Sequence, residues 1–379
     1  MSKWKTVRLG DVATYVNGYA FKPNDWADTG LPIIRIQNLT GNDYETNYYS
    51  GDYNPKYEVV KGDILISWSA SLGVYEWQKE KSLLNQHIFK VVFDKIDIDK
   101  RYFIHTVSYL LNDMVKETHG STMKHITKPR FDNTPFPYPP IETQRIIAAT
   151  LDKVTHTIDL CNAIIKKLDL LVKARFVEMF GDPILNTKGW EMTTIGEIVT
   201  EVKYGTSRPA IDGGKYAYLR MNNLTYDGYL DLADLKRIDM PDSEIEKCIV
   251  RKGDVLFNRT NSIELVGKTC VFDKDEDMII AGYIIRVRLK PVMLPLIMSY
   301  FMNTDALKKK LRSMAKGAVN QANINAQELK AIKIYLPPTD LQQQFADFVA
   351  QTDKSKLAVK QVLEKAETLK KALMQEYFE

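Results

Sequence analysis

The sequence predicts an α+β chain assembled from one unit used twice. Two related mixed α/β domains are separated by two long helices, expected to form an antiparallel coiled coil with pseudo-twofold symmetry. Three observations predict this: an ordered internal repeat, strand-like runs at matching places in both halves, and a heptad-spaced apolar seam after a Pro-Pro pair in each half.

The repeat comes first. Trp4-Lys-Thr-Val-Arg-Leu-Gly10-Asp is answered by Trp190-Glu-Met-Thr-Thr-Ile-Gly196-Glu, and Arg35-Ile-Gln-Asn38-Leu39-Thr40 by Arg220-Met-Asn-Asn223-Leu224-Thr225. Lys61-Gly-Asp-Ile-Leu65 returns as Lys252-Gly-Asp-Val-Leu256, Phe89-Lys-Val91 as Ile285-Arg-Val287, and Pro139-Pro-Ile-Glu-Thr-Gln144 as Pro337-Pro-Thr-Asp-Leu-Gln342. The matches keep their order, and their separation grows slowly along the chain, as small loop insertions in the second copy would produce. The expected domains are 1–138, a helix at 139–182, a second domain at 183–336 and a final helix at 337–379.

Within each copy, β-branched and aromatic runs read as strands. They are Pro32–Ile36, Asp63–Trp68 and Ile88–Phe93 in the first, and Tyr216–Arg220, Asp254–Phe257 and Tyr283–Leu289 in the second. Lys-Gly-Asp before the second run of each copy is a turn signal. Helices are expected near Tyr102–Lys116 and Leu294–Met314. The proline-rich strings 134–140 and 335–338 should close the globular parts, because proline resists both helix and ladder.

After each Pro-Pro the apolar period changes. Ile147, Leu151, Val154, Ile158, Cys161, Ile165, Leu168 and Val172 alternate steps of four and three, a heptad seam. Residues 141–180 would make roughly 60 Å of helix, stopped by Gly181-Asp-Pro183. In the last segment the expected seam runs Phe345, Val349, Thr352, Val359, Val362, Ala366, Leu369, Leu373, with Lys356 close to it. Two such helices in one chain can bury each other's seams.

Composition narrows the function. The 379 residues are 45% hydrophobic and 26% charged, which excludes disordered and low-complexity classes. A net charge of +4 permits a nucleic-acid partner without demanding one. Cys161, Cys248 and Cys270 are too scattered for a disulfide framework or a zinc site. The N-terminus lacks the apolar core of a signal peptide, and no run approaches the ~18 apolar residues of a membrane span. A cytoplasmic protein without membrane contact is expected.

Two related heads at a fixed separation suit a ligand with a long regular repeat. Duplex DNA is such a ligand, its major-groove faces recurring every ~34–36 Å. Heads that differ in sequence should read different half-sites across an unread spacer.

The two-copy layout, the Pro-Pro-x-x-x-Gln openings at 139 and 337, the heptad helices and Met179-Phe-Gly-Asp-Pro183 together resemble the specificity subunit of Type I restriction–modification enzymes, over essentially the whole chain. The resemblance implies two target recognition domains and a coiled-coil spacer. It also implies assembly on double-stranded DNA with two adenine-methyltransferase subunits and with endonuclease/translocase subunits, and no catalysis by the chain itself. The rival readings are a self-contained methyltransferase or nuclease with fused recognition heads, and a coiled-coil adaptor without a DNA role.

A search for catalytic or cofactor motifs agrees with the resemblance. Asn133-Thr-Pro-Phe136 misses one proline of an adenine-methyltransferase loop and reads as linker. Ser262–Thr269 has serine where a phosphate-binding loop needs its first glycine, and it leads into strand-like residues, so it reads as a β-hairpin. His87, His105, His119, His125 and His156 show no metal-ligand spacing. No metal and no cofactor are expected.

The repeat also sorts candidate DNA contacts. Residues shared by both heads cannot distinguish two half-sites, so Arg35/Arg220 and Asn38/Asn223 belong to the scaffold or to phosphate contacts. Polar residues that differ at equivalent positions are the candidates for base reading. After Lys-Gly-Asp, Ser67-Trp68-Ser69 stands opposite Asn258-Arg259-Thr260-Asn261; Arg259 suits guanine O6/N7, and Asn258 or Asn261 adenine N6/N7. A plain polar hairpin is the competing reading. Gln86 and His87 stand opposite Gly282 and Tyr283, and Asn320, Gln321 and Asn323 offer base or backbone contacts. Lys116, Lys124, Lys128 and Arg130 in the first head, and Lys308–Lys310, Arg312 and Lys316 in the second, suit phosphates; a solvated helix face explains Lys308–Lys310 as well.

Overall fold

The computed structural model describes residues 4–41, 46–69, 71–117, 126–318 and 321–379. The chain divides into two compact units, Met1–Asn162 with Lys360–Glu379, and Ala163–Val359. Each unit therefore takes one globular head, part of the central helix Ile141–Phe180 and part of the C-terminal helix Thr339–Phe378.

In the first unit, one sheet orders Thr14–Asn17, Ile88–Val92, Ile64–Ser67 and Gly73–Glu76, all antiparallel. A second sheet orders Tyr48–Tyr49, Leu31–Ile34, Ser82–Leu84 and Glu58–Val59, with one parallel pairing between Leu31–Ile34 and Ser82–Leu84. The second unit repeats both. Val199–Tyr204, Ile284–Leu289, Val255–Asn258 and Thr269–Val271 form the first sheet. Lys236–Ile238, Tyr216–Leu219, Met278–Ile280 and Ile249–Val250 form the second, again with one parallel pairing, between Tyr216–Leu219 and Met278–Ile280. The second unit also contains a three-stranded sheet of Thr260–Asn261, Gln321–Asn323 and Lys316–Ala318. The Lys-Gly-Asp turns are alike: Asp63 Oδ2 accepts from Val60 N, and Asp254 Oδ2 from Arg251 N, both at 2.9 Å.

The proline-rich strings depart from expectation. Pro135–Pro137 is itself a strand, paired antiparallel with Thr6–Arg8, and Lys333–Leu336 pairs likewise with Glu191–Thr194. Pro135 and Pro137 are tolerated because their ladder has two strands and so leaves an unpaired edge, Pro337 and Pro338 follow the end of their strand, and Phe136 and Tyr335 anchor the strands in the core at 0% exposure. The helix expected over Leu294–Met314 is in fact two, Pro295–Met302 and Asp305–Met314. Thr304 caps the second by accepting from Leu307 N. Asn303, at the end of the first, donates to Ser299 O and Thr269 O. Its counterpart, Lys100–Glu117, is continuous.

The repeated Pro-Pro-x-x-x-Gln has a structural role. Gln144 accepts from Asp99 N at 2.9 Å and donates to Pro139 O at 2.9 Å. Gln342 accepts from Leu294 N at 2.8 Å and donates to Pro337 O and Val292 O. Both are fully buried. Each locks the start of a long helix to the segment leading into the shorter helix of its own head.

Within the first unit, Ile147 and Leu151 near the start of the central helix share a core with Phe378 at the end of the C-terminal helix. Within the second, Phe176 and Phe180 meet Phe345 edge-on at 5.4 and 5.5 Å, and Asp169 pairs with Lys356. Within the second unit, stepping back along the central helix from Phe176 to Asp169 means stepping forward along the other from Phe345 to Lys356, so the two run antiparallel there. The central seam is inside as expected: Ile147, Leu151, Cys161 and Val172 are buried and Val154, Ile158, Ile165 and Leu168 half-buried.

The C-terminal seam needs correction. Val362 and Leu369 are each 50% exposed. The inward face runs Phe345, Val349, Thr352, Lys356, Val359, Leu363, Ala366, Lys370 and Leu373, an unbroken alternation of four and three. Scoring apolar residues alone skips the two lysines and slips by one position after Val359.

Candidate nucleic-acid interface

The antiparallel ladders set the geometry of the candidate site. In the first unit Asn17 pairs with Phe89 and Ser67 with Ile88. In the second, Tyr204 pairs with Ile285 and Asn258 with Ile284. Two strand ends and one strand start thus lie along one sheet edge in each unit. The segments just past that edge are Gly18-Tyr19, Trp68-Ser69 and Gln86-His87 in one, and Gly205-Thr206, Arg259–Asn261 and Gly282-Tyr283 in the other. Residues selected because they differ between the copies therefore gather at the same place on the same scaffold.

That edge needs close backbone approach. A Cβ on Gly18 would sit 2.0 Å from Asn85 O, and one on Gly205 2.1 Å from Ile280 O, so glycine alone fits. Parallel bridges Tyr19↔Asn85 and Thr206↔Ala281 close the two loops. Sequence reading passed over this pair of glycines, although both follow the first sheet strand of their copy.

Two candidates turn inward. Ser67 and Asn258 are 0% exposed; Ser67 Oγ donates to Ser69 O, and Asn258 Nδ2 donates to Thr260 O and Tyr283 O. Carbonyls only accept, so Asn258 must present Oδ1 to Asn261 Nδ2, which it meets at 2.8 Å. Asn258 is thus the anchor of its loop and is removed from the adenine-reading set. Thr260, 5% exposed, also belongs to the interior.

Of the remaining candidates, Trp68, His87 and Arg259 are half-buried. Trp68 lies 5.6 Å from Phe89, stacked, and 4.9 Å from His87, edge-on. His87 takes a left-handed backbone, φ 71°, and Gln86 is exposed beside it. Ser69 and Asn261 are half-buried and Gln321 is exposed. Lys316 is exposed and pairs with Glu328 at 2.7 Å, which raises the lysine and lowers the glutamate in pKa. Lys124 and Asn320 lie outside the described residues. Three exposed tyrosines, Tyr19 (46%), Tyr204 (42%) and Tyr283 (49%), share these edges; of them only Tyr283 stood out by comparing the copies.

The shared asparagines close turns, while the shared arginines turn their side chains to Asn47 Oδ1 and Asp234 Oδ2. Arg35 N donates to Asn38 Oδ1 at 2.9 Å and Arg220 N to Asn223 Oδ1 at 2.8 Å, the same turn closed twice. Among the basic residues, Lys308 is 5% exposed, donates to Tyr226 O and lies 3.5 Å from the Tyr226 ring centre. It is therefore not part of a solvated face, and burial pushes its pKa down to about 8. Lys128 is engaged with Asp132 at 2.8 Å.

The phosphate-loop and methyltransferase look-alikes are structural. Lys268 donates to Met221 O from a buried position and is followed by the strand Thr269–Val271. Asn133 caps Pro129 O. Among the described residues no three His, Cys, Asp or Glu side chains converge as a metal site, and no helix is long and apolar enough to cross a membrane.

Known proteins share this architecture. The Type I restriction modification DNA specificity domain matches residues 1–170 and again 187–368. The EcoBI specificity subunit of Escherichia coli is 25% identical over 380 residues, covering 92% of this chain and 79% of that protein. The MjaVIII specificity subunit of Methanocaldococcus jannaschii is 23% identical over 392 residues, 98% of this chain and 91% of that one. The fold matches the crystal structure of an S subunit from M. genitalium with a TM-score of 0.57 at 14% identity, covering 100% of this chain and 96% of that one. It also matches a chain from a structural study of type I R-M complex assembly with a TM-score of 0.58 at 18% identity, covering 99% and 97%. With both halves matching one domain and the whole fold matching such subunits, the chain belongs to the Type I restriction modification DNA specificity family.

Proposed function

We propose that the chain reads an asymmetric, bipartite site on duplex DNA and performs no chemistry itself. Residues 1–138 and 183–336 act as the two target recognition domains, one per half-site, and the helices 139–182 and 337–379 set the spacer. Two adenine-methyltransferase subunits act where the chain directs them, and endonuclease/translocase subunits join for cleavage, in the cytoplasm.

One observation carries this reading. The same pair of sheets presents Trp68 and His87 in one unit and Arg259 and Tyr283 in the other, at matched strand ends. A single scaffold with unlike side chains at its edge suits two different base sequences. The names of the relatives support it.

The test is to express the full chain with methyltransferase subunits of this type and sequence the methylated adenines genome-wide. The expected result is a two-part, non-palindromic motif with a fixed gap. A continuous or palindromic motif would overturn the bipartite reading. Methyl transfer or cleavage by the purified chain alone would overturn its non-catalytic role.

A further inference from the structure

Arg259 is held from three sides. Its guanidinium carbon lies 4.8 Å from the Tyr204 ring centre, Nη2 donates to Asn323 Oδ1 at 3.1 Å, and Nη1 approaches Gly282 O at 3.5 Å. The supports are themselves fixed. Tyr204 OH accepts from Ala326 N at 2.8 Å. A guanidinium has no acceptor, so Asn323 turns its oxygen to Arg259 and its amide to Thr260 Oγ1, at 3.2 Å. Thr260 and Asn323 are also ladder partners.

An arginine constrained in this way has its rotamer settled before any ligand arrives, so less freedom is lost on binding. These contacts engage one N–H on each terminal nitrogen and leave one N–H on each. A pair of that kind grips guanine O6 and N7. Among the described residues the first unit shows no counterpart: Trp68 stands where Arg259 stands and Asn17 where Tyr204 stands.

We propose that Tyr204 and Asn323 are positioning residues that hold Arg259 ready for a guanine in the half-site read by the second head. The inference rests on the chain being a DNA-recognition subunit. It goes further in naming one base, in one half only, and the residues that place its reader.

The experiment is bind-and-sequence selection from a random duplex pool, using the full chain assembled with methyltransferase subunits. The parent chain should enrich a guanine at one position of one half-site. Arg259→Ala should lower the preference at that base pair by about 10- to 100-fold. Tyr204→Leu and Asn323→Ala should lower it at the same base pair by about 5-fold, a fraction of the full contact. Tyr204→Phe, which keeps the ring face, should retain it. The other half-site should not change, nor should the slope of log affinity against log salt, because no phosphate contact is lost. Uniform weakening across all sequences, a changed salt slope, or an intact guanine preference in Tyr204→Leu and Asn323→Ala would each overturn the positioning role. No enrichment by the parent chain would reject the recognition reading itself, a separate failure.

Discussion

Lys356 reaches from the C-terminal helix to Asp169 on the central helix, with only 12% of its side chain exposed, and lies 4.5 Å from the Tyr229 ring centre. A lysine at an inward heptad position is costly unless paired, and the pairing fixes which turns of the two helices face each other. Burial alone would lower its pKa, but the hydrogen bond to Asp169 and the neighbouring charge raise it overall.

Breaking that pair from one side should cost more than removing it. Asp169→Asn should destabilise the chain by about 1–3 kcal/mol, less than for a fully buried pair because Asp169 is one-third exposed, since Lys356 keeps its charge without a counter-charge. Asp169→Leu combined with Lys356→Met should fall near the parent in stability. Urea unfolding of the three chains decides it, and a double variant as weak as the single would refute the account. The raised lysine pKa also gives a sign: the pair's contribution is present below the ordinary lysine pKa and is lost as pH climbs through the raised value.

Gln342→Ala should cost about 1–3 kcal/mol, since it strands the Leu294 N–H and two carbonyls in the interior. Gln144→Ala should behave alike in the first unit. Hydrogen exchange at Leu294 and Asp99 should speed up locally in the matching variant. Unchanged protection would show that the glutamine is not the lock.

The depressed pKa of Lys308 predicts a pH dependence of definite sign. The folded chain releases this proton near pH 8, and the unfolded chain near the ordinary value of 10.5. Between those values the unfolded state binds more protons, so the Lys308 contribution to stability rises with pH, by about 3 kcal/mol in all. Below pH 8 the full penalty for charging a buried amine is present. Lys308→Met should abolish this rise, so the stability difference between the variant and the parent should move against the variant between pH 7 and pH 10. A difference independent of pH would refute it.

Ser67 and Trp68 are adjacent but should fail differently. Ser67→Ala removes a buried donor to Ser69 O and should cost about 1 kcal/mol of stability while leaving the methylated motif unchanged. Trp68→Ala should alter the half-site read by the first head and leave the other half intact. Methylated-base sequencing separates the two, and a change in both halves would remove Trp68 from the reading surface.

Much of the architecture is local in origin and could be read directly. The strands at Ile64–Ser67 and Val255–Asn258 follow from β-branched and aromatic runs behind a Lys-Gly-Asp turn. The central helix follows from a purely apolar heptad, in which each seam residue announces itself. The site was half legible: comparing the copies pointed to strand ends that the ladders bring to one sheet edge, but not to which way each side chain points. Ser67 and Asn258 close the ends of buried strands and are spent on their own loops, which no spacing reveals.

By itself, then, the sequence determined the duplication, the strands, the two long helices and the edge where the copies diverge, because these depend on composition and period over short stretches. Tertiary structure decided the register of the C-terminal helix and the cradle around Arg259. Lys356 can sit inside only where Asp169 is brought to meet it, and Tyr204 and Asn323 are far from Arg259 in sequence and reach it only through the sheet. Polar groups are buried according to the partner they find, and that partner is supplied by the fold.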